Sequence, residues 1–361
     1  MQIYPVIMAG GAGTRFWPAS RSNIPKQFLN IIGSKTMIEQ TIQRVSPVIE
    51  EEKVIIVGNE EHHELLKKIS GKRRLVILEE PFGRNTAPCI GLAAVYLRKH
   101  GVVDEPMAVL PADHFITDEK RFLSILSIGG SLARKGSIVT IGIVPTRPET
   151  GYGYLRKGAV EDKIEGVGVY KIERFVEKPG EEDALRYVKS GDYFWNSGIF
   201  IFTPETILKE MQLHLPVLYE GLLRIEQGLG EKNYGKVLKS SYQEFPSVSI
   251  DYGVMEKTNH PVFAIPGDFG WSDVGSWESL YGLRKKESDD NENLIQGKGM
   301  LFDAGSCFVF NKAEQIVVGL GLEDLVIVNT DDVILVADMK RSQDIKIIIE
   351  EIRQKGLSAI L

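Results

Sequence analysis

The sequence predicts an α/β fold with a mainly parallel sheet, followed by a small all-β appendage, and three observations carry that reading. Over the first 145 residues, short runs of β-type residues alternate with amphipathic stretches of helical length. A polar run, 285–293 (KKESDDNEN), then interrupts the chain. Beyond it, 294–339 breaks into short β-rich pieces separated by Gly, Asn and Asp. Strands alternating with helices imply right-handed βαβ crossovers with helices on both faces of one sheet. The polar run marks the boundary between a domain over 1–285 and a smaller β-rich one over 291–361 that ends in a helix.

Taken in order, the predicted strands are 3–8, 54–57, 75–78, 107–110 and 138–143, and the predicted helices between them are 36–45, 60–69, 86–100 and 119–135. Thr36 with Glu39 forms a capping-box pattern, Asn59 stands as an N-cap for the second helix, and Asn85 or Thr86 for the third. The middle of the chain is less regular. Strands are expected over 152–155, 167–177 and 196–202, and Thr203 before Pro204 marks the start of a helix toward Leu213. A helix follows at 277–284, and Ile345, Ile348, Ile349 and Ile352 recur at helical spacing before Gly356 stops the last one. No strict internal repeat is visible.

Composition limits the function. With 361 residues, 43% hydrophobic and 25% charged, the chain has ordinary globular usage. A net charge of -6 argues against a non-specific nucleic-acid binder or a polybasic membrane binder. The two cysteines, Cys89 and Cys307, lie far apart with no CxxC spacing, so a disulfide framework or a thiolate zinc site is not expected. No apolar stretch approaches bilayer length and the start of the chain carries no targeting signal, so the expected location is the cytoplasm.

In parallel sheets ligands bind beyond the carboxyl ends of the strands, which directs attention to the loops there. After the first strand come Gly10, Gly11, Ala12, Gly13, Thr14 and Arg15, with Lys26 further on. Glycines let backbone N–H groups approach phosphate oxygens, and Arg and Lys add charge for a triphosphate and a departing pyrophosphate. A tight strand-to-helix turn with surface cations would look similar. No Gly-Lys-Ser/Thr follows, and Phe16 replaces the third glycine of a dinucleotide fingerprint, which weakens an oxidoreductase reading. Asp113 ends the fourth strand, where a hard carboxylate suits Mg²⁺, and Asp273 is the candidate second carboxylate; a turn or N-cap residue is the plainer role for Asp113. His114 suits either orienting a phosphate or a hydrogen bond within the loop, the plainer role. Glu80, Asn85 and Thr86 could read the edge of a base, or cap a helix. Glu177 beside Lys178 suits a sugar hydroxyl and a phosphate, or is an exposed ion pair, and Asn196 and Asp251 suit hydroxyl recognition or ordinary turns.

Jointly these motifs resemble the mannose-1-phosphate guanylyltransferases of the sugar-nucleotidyltransferase superfamily. The resemblance runs in order through GGAGTRFWP, PKQFL, EPFGRNTAP, LPADH, GYGY, FVEKP, WNSGIF, SIDYGVMEK and GWSDVGSW, about the first three-quarters of the chain. It implies a Rossmann-like nucleotidyltransferase domain with a mixed sheet and a left-handed β-helix-like tail. It implies Mg²⁺-dependent transfer of GMP from GTP to mannose 1-phosphate, giving GDP-mannose and pyrophosphate. On this resemblance Ala9, Gly10, Gly11, Gly13, Thr14, Arg15, Lys26 and Pro111 would lie along the nucleotide, with Glu80, Asn85 and Thr86 near guanine. Asp113 and Asp273 would bind the metal. Gly153, Glu177, Asn196 and Asp251 would surround the mannose, and Lys178 would meet its phosphate. Cys89 and Gly253 stand where the family pattern suggests alanine. The residues after Asn291 carry one cysteine and no histidine, so no cupin metal site and no isomerase activity is expected. A guanylyltransferase for a heptose or fucose 1-phosphate, or a non-catalytic GDP-mannose-binding subunit, are the rival readings. A β-rich tail often serves as a dimerisation surface, which allows a homodimer.

Overall fold

The computed structural model of the chain describes residues 2–11 and 13–361. By its internal contacts the chain divides into two units: one holds the residues up to Gly10 together with Ile38–Trp271, the other Gly11–Met37 with Ser272–Leu361.

The first unit is built on a mixed sheet of nine strands among the described residues. The chain enters with β1 (Tyr4–Met8), α1 (Met37–Val45), β2 (Ile55–Asn59), α2 (His63–Ser70), β3 (Val76–Glu80), α3 (Thr86–Lys99) and β4 (Met107–Pro111). It continues through the short β5 (Phe115–Ile116), α4 (Glu119–Ala133), β6 (Ile138–Ile143), β7 (Tyr154–Ile164), β8 (Val167–Val176) and α5 (Glu181–Ser190). Then come β9 (Tyr193–Phe202), α6 (Pro204–His214), α7 (Pro216–Gly228), α8 (Tyr234–Glu244) and β10 (Val262–Pro266). The sheet order is β3-β2-β1-β4-β9-β6-β10-β8-β7, and β7 also pairs with β9. Strands β1 to β4 are parallel, as the alternation predicts. β6 does not follow β4: β9 lies between them, antiparallel to both. The predicted 152–155 strand becomes an eleven-residue strand, β7, that forms a bulged hairpin with β8. Its charged, exposed second half shows no apolar alternation, so pairing with β8 alone makes it a strand.

The core explains the helices. In α3, Ala87 to Val95 are buried all round, because the helix lies between the sheet and α6 and α7. Thr203 caps α6 by accepting the Thr206 N–H, and Pro204 fills the first turn, as expected. No helix among the described residues is long and apolar enough to cross a membrane.

The two-residue strand β11 (Trp271–Ser272) ends on the residue where the second unit resumes, and α9 (Trp277–Arg284) follows. The β-rich part of that unit contains β12 (Leu294–Gln296), β13 (Gly299–Phe302), β14 (Phe308–Asn311), β15 (Val317–Leu320), β16 (Leu325–Asn329) and β17 (Ile334–Asp338), before α10 (Ile345–Gln354). β12, β14 and β16 pair in parallel, as do β13 and β15, while β17 returns antiparallel to β16. This is a β-helix-like coil, whose partners lie 18 residues apart between β14 and β16 and between β13 and β15, Phe308 with Val326 and Met300 with Val318, and 14 apart between β12 and β14, Leu294 with Phe308. Buried Asn311 and Asn329 repeat at the 18-residue spacing, and the Asn329 amide donates to Asn311 Oδ1 at 3.0 Å. The sequence reading of no strict repeat therefore missed a structural period, because side chains vary at most positions of each turn.

The same unit explains why FWP follows the glycine loop. Phe16 packs edge-on against fully buried Trp277, with ring centroids 4.8 Å apart, and Trp277 also contacts Phe310 at 5.0 Å. The Trp17 indole donates to the Ile360 carbonyl at 2.7 Å. These aromatics anchor Gly11–Met37 to the β-rich coil by burying large apolar area.

Candidate active site

In the first unit the predicted base-reading residues gather at the ends of β1 and β3. The Ala9 N–H donates to Val57 O, and the Gly10 carbonyl accepts from Asn59 Nδ2 at 3.2 Å. Asn59 therefore does not cap the second helix; a 3₁₀ turn over Glu60–His62 intervenes, and its side chain is used on the Gly10 loop instead. A Cβ on Gly10 would sit 3.1 Å from Glu80 Oε2, so Gly10 lies directly against that carboxyl. Glu80 is only 2% exposed, and its Oε1 is buried without a hydrogen-bond partner. Burial pushes its pKa up to about 8, since the charged form loses hydration and the neighbouring Tyr242 hydroxyl offsets only part of that loss.

Asn85 caps α3 by accepting the Thr86 N–H at 2.9 Å, from a left-handed backbone (φ 70°). Thr86 turns its hydroxyl the other way and accepts the Ile250 N–H at 2.8 Å. The cap belongs to Asn85, and Thr86 ties this loop to the segment that leads into Asp251. Arg84, in the same motif, donates to the Tyr242 carbonyl at 3.1 Å and so fixes the loop to α8.

Pro111 ends β4 beside Met8 of β1, and half-buried Asp113 follows it. The carbonyls on either side of Asp113 are held from below by α1. The Thr41 hydroxyl donates to Ala112 O at 3.2 Å, and Arg44 Nη2 donates to His114 O at 3.3 Å. Both side chains are buried, and loss of hydration lowers the Arg44 pKa to about 10, although Glu119 works against the shift. The sequence reading passed over Thr41 and Arg44, whose only local signal is a polar pair on the inward face of an amphipathic helix. His114 serves structure: its Nδ1 accepts the Trp271 indole N–H at 3.1 Å, and the rings pack edge to face.

The predicted sugar-binding residues also come together in this unit. Asn196 on β9 donates its amide to Asp251 Oδ1 at 2.9 Å, and its backbone N–H to the Gly153 carbonyl at 2.8 Å. Glu177 Oε1 accepts from Lys178 Nζ at 2.7 Å. A Cβ at residue 153 would lie 2.4 Å from Glu177 Oε2, so only glycine lets that carboxylate lie where it does. Asp251 is half-buried, and its pKa is raised to about 6, first by desolvation and then by the charge of Glu177. The Asp251 carboxylate thus acts on the Glu177 carboxylate and the Lys178 ammonium, both remote from it in sequence, a pattern suited to accepting from hydroxyls and donating to a phosphate.

The second unit holds the remaining predicted residues. Gly11 O accepts from Gln27 Nε2 at 2.9 Å. Gly13 has φ 57°, and a Cβ there would lie 2.3 Å from the Lys26 backbone nitrogen, so both conformation and space demand glycine. Thr14 and exposed Arg15 occupy a 3₁₀ turn (Thr14–Phe16). Lys26, buried, donates its ammonium to the Asp273 carbonyl at 2.5 Å, which unites two predicted residues far apart in sequence. Ala12, in the middle of the glycine loop, lies outside the described residues.

A glycine loop at the end of the first strand of a mixed α/β sheet, with a β-helix-like tail, defines a nucleotide-transferring class. Residues 4–290 match the family described as nucleotidyl transferase, and residues 297–352 match the MannoseP isomerase/GMP-like beta-helix domain. The chain is 39% identical over 359 residues to the mannose-1-phosphate guanylyltransferase of Escherichia coli K12, covering 98% of this chain and 74% of that protein. It is equally 39% identical to the xanthan biosynthesis protein XanB of Xanthomonas campestris pv. campestris (strain B100), covering 99% of this chain and 74% of that one. Among solved structures, one described as mannose-1-phosphate geranyltransferase from Thermus thermophilus superposes with a TM-score of 0.87 at 34% identity, over 98% of this chain and 100% of that one. The chain belongs to the mannose-1-phosphate guanylyltransferase family of nucleotidyl transferases.

Proposed function

We propose that this chain transfers GMP from GTP to mannose 1-phosphate, giving GDP-mannose and pyrophosphate. Identity along its whole length to mannose-1-phosphate guanylyltransferases supports the reaction. The observation that carries the choice of base is Glu80, a buried carboxyl oxygen with no hydrogen-bond partner beside Gly10. Guanine presents two adjacent donors, N1–H and the 2-amino group, to one acceptor, whereas adenine presents an acceptor at N1. Ionised, the Glu80 carboxylate accepts from guanine's donors and has no proton to give adenine N1, so it favours guanine, and an orphaned carboxyl oxygen is costly until a donor reaches it. The sugar is proposed to lie among Gly153, Glu177, Asn196 and Asp251, with Lys178 at its phosphate.

The sugar phosphate is largely dianionic at neutral pH, with a second pKa near 6. One of its oxygens forms a bond to the α-phosphorus of GTP while the bond to the bridging oxygen of the β-phosphate breaks, and the electron pair leaves with pyrophosphate. No general base is needed. The barrier is the approach of two polyanions, and Arg15, Lys26, Lys178 and the amides of Gly10, Gly11 and Gly13 lower it by donating to phosphate oxygens. The family's divalent cation is proposed to be Mg²⁺. Asp113 fits it, as a hard carboxylate whose flanking carbonyls are already held in place, and Asp273 is the second carboxylate that the family resemblance implies. Bound there, it would supply Lewis-acid charge stabilisation at the phosphates. The need for GTP supports a cytoplasmic location.

A pyrophosphate-release assay over GTP, ITP and ATP against mannose, glucose, fucose and heptose 1-phosphates, with and without Mg²⁺, tests this reading. GTP with mannose 1-phosphate is expected to be the preferred pair, and only with the metal present. A clear preference for another sugar phosphate, or no turnover at all, would overturn it.

The partner proposed is a second copy of the chain. Met300 and Phe302 of β13 pair in register with Val318 and Leu320 of β15, and all four side chains are exposed, Leu320 by 74%. We propose that this apolar face packs against the same face of a second copy about a two-fold axis. The protein is expected to run as a dimer in light-scattering chromatography at micromolar concentration, and the double variant Phe302→Glu, Leu320→Glu as a folded monomer. A wild-type monomer, or an unaltered dimer in the variant, would refute this interface.

A further inference from the structure

The link between the sugar-phosphate lysine and the rest of the sheet runs through a residue that the motifs leave without a role. Lys178 follows β8 in the left-handed region, with φ 48°. A lysine has no intrinsic preference for that conformation, so the surrounding structure must hold it there. The holding contact is at the preceding residue: the Glu177 backbone N–H donates to Glu256 Oε1 at 3.0 Å. Glu256 immediately follows a five-residue π-helical turn, Asp251–Met255. The other end of that turn is Asp251, whose carboxylate accepts from Asn196 at 2.9 Å. One short rigid element therefore grips both sides of the sugar site, β9 through Asp251 and the end of β8 through Glu256. π-helical turns are rare and cluster at functional sites, and this one has a carboxylate in use at each end. The Asp251 and Glu256 main chains are themselves joined, since Glu256 N donates to Asp251 O at 3.0 Å.

We propose that Glu256 is a positioning residue for guanylyl transfer, fixing the Glu177 backbone so that Lys178 presents its ammonium to the sugar phosphate. The assignment rests on the sugar-phosphate site proposed above. Glu256 need not touch substrate. Its carboxylate accepts the one N–H that sets the direction of the chain as it leaves β8, and the Lys178 ammonium, hydrogen-bonded to Glu177 Oε1, follows that direction. The side chain is exposed, on the rim of a cleft lined by Phe175, Val176, Met255 and Thr258, so its removal leaves the core intact. A glutamine keeps an oxygen that can accept the same N–H; an alanine or a leucine does not.

The test compares the purified wild type with Glu256→Gln, Glu256→Ala, Glu256→Leu and Lys178→Ala, measuring KM separately for mannose 1-phosphate and for GTP. Losing a hydrogen bond to a charged acceptor corresponds to about tenfold. Glu256→Ala and Glu256→Leu are expected to raise KM for mannose 1-phosphate about tenfold with KM for GTP unchanged, and Glu256→Gln to stay within about threefold of wild type. The leucine variant retains side-chain bulk and decides the matter if the alanine variant is unstable. If Lys178→Ala raises the sugar-phosphate KM while neither Glu256 variant does, the positioning role is wrong and the site reading stands. If Lys178→Ala is also without effect, both fall. Equal loss for glutamine and alanine, or equal shifts in both KM values, would likewise overturn the positioning role.

Discussion

Asp113→Ala is expected to lower the rate of GDP-mannose formation by on the order of 10²-fold or more, with the fold unchanged. The reason for the rate loss is electrostatic. Two polyanionic substrates must meet, and a carboxylate at the carboxyl end of β4 is the group proposed to hold the divalent cation that offsets their repulsion. The reason for the intact fold is local. The loop is pinned through the carbonyls of Ala112 and His114 by Thr41 and Arg44, and neither bond involves the Asp113 side chain. Circular dichroism and the unfolding midpoint should therefore match wild type while single-turnover rates collapse. Lys178→Ala is expected to reduce turnover to a similar extent. Near-normal rates for Asp113→Ala would remove the carboxylate from the mechanism and leave its place at the strand end without catalytic meaning.

Glu80→Gln is the second large effect. The buried carboxyl has its pKa pushed up to about 8 in the ligand-free protein, so at pH 7 it is mainly protonated. Guanine N1–H and N2–H donors favour the ionised form, so GTP binding should expel a proton. Binding then tightens as pH rises toward 8 and levels off above it. Glutamine cannot ionise, and its amide hydrogens face guanine's own donors. Loss of charge-assisted bonds of about 1.5–3 kcal/mol predicts a fall in kcat/KM for GTP of about 10- to 100-fold. ITP, which lacks the 2-amino group, should be a poorer substrate than GTP for the wild type, and the gap should narrow in Glu80→Gln. Calorimetry in buffers of different ionisation enthalpy would detect the released proton. Absence of proton release together with an unchanged GTP preference would rule out Glu80 as the guanine acceptor.

The same residue sets a stability trend of definite sign. A carboxyl whose pKa is higher in the folded chain than in the unfolded one is protonated more readily when folded. Its cost to stability begins above the unfolded value of 4.5 and grows until pH reaches about 8. Glu80→Gln should therefore melt higher than wild type, most clearly at pH 8 and above, and the difference should vanish below about pH 4.5. A variant that binds GTP poorly yet is more stable separates a ligand-directed carboxyl from a structural one.

Much of this molecule was legible locally. The alternation of β-type and amphipathic runs predicted β1 to β4 as parallel strands, because a buried sheet selects apolar residues at every strand position. Thr203 and Pro204 announced α6, because capping needs only neighbouring residues. The chemistry was legible as residue types at strand ends: Glu177 with Lys178, and Asn196 with Asp251, each form a direct hydrogen bond. Asn59 failed as a cap because a 3₁₀ turn over Glu60–His62 separates it from α2, and its Oδ1, the atom a cap would use, accepts no hydrogen bond there.

What only the tertiary structure decided are the pairings between residues remote in sequence. Insertion of β9 between β4 and β6 leaves no local trace, since an apolar strand reads alike whichever neighbour it takes. The 18-residue register of the β-rich coil rests on backbone pairing and a few asparagines, so side-chain periodicity hardly marks it. Thr41 and Arg44 lie in none of the motifs, and Glu256 lies in SIDYGVMEK with no role that the motif gives it; each matters through a backbone group it reaches across the fold, to Ala112, His114 and Glu177. The sequence by itself determined which secondary structures form and which chemical groups line the strand ends, because propensity, capping and burial are properties of a window of residues. The closed network that holds those groups in register was decided by packing, because a hydrogen bond to a main-chain atom depends on where the chain runs and scarcely at all on which residue it passes through.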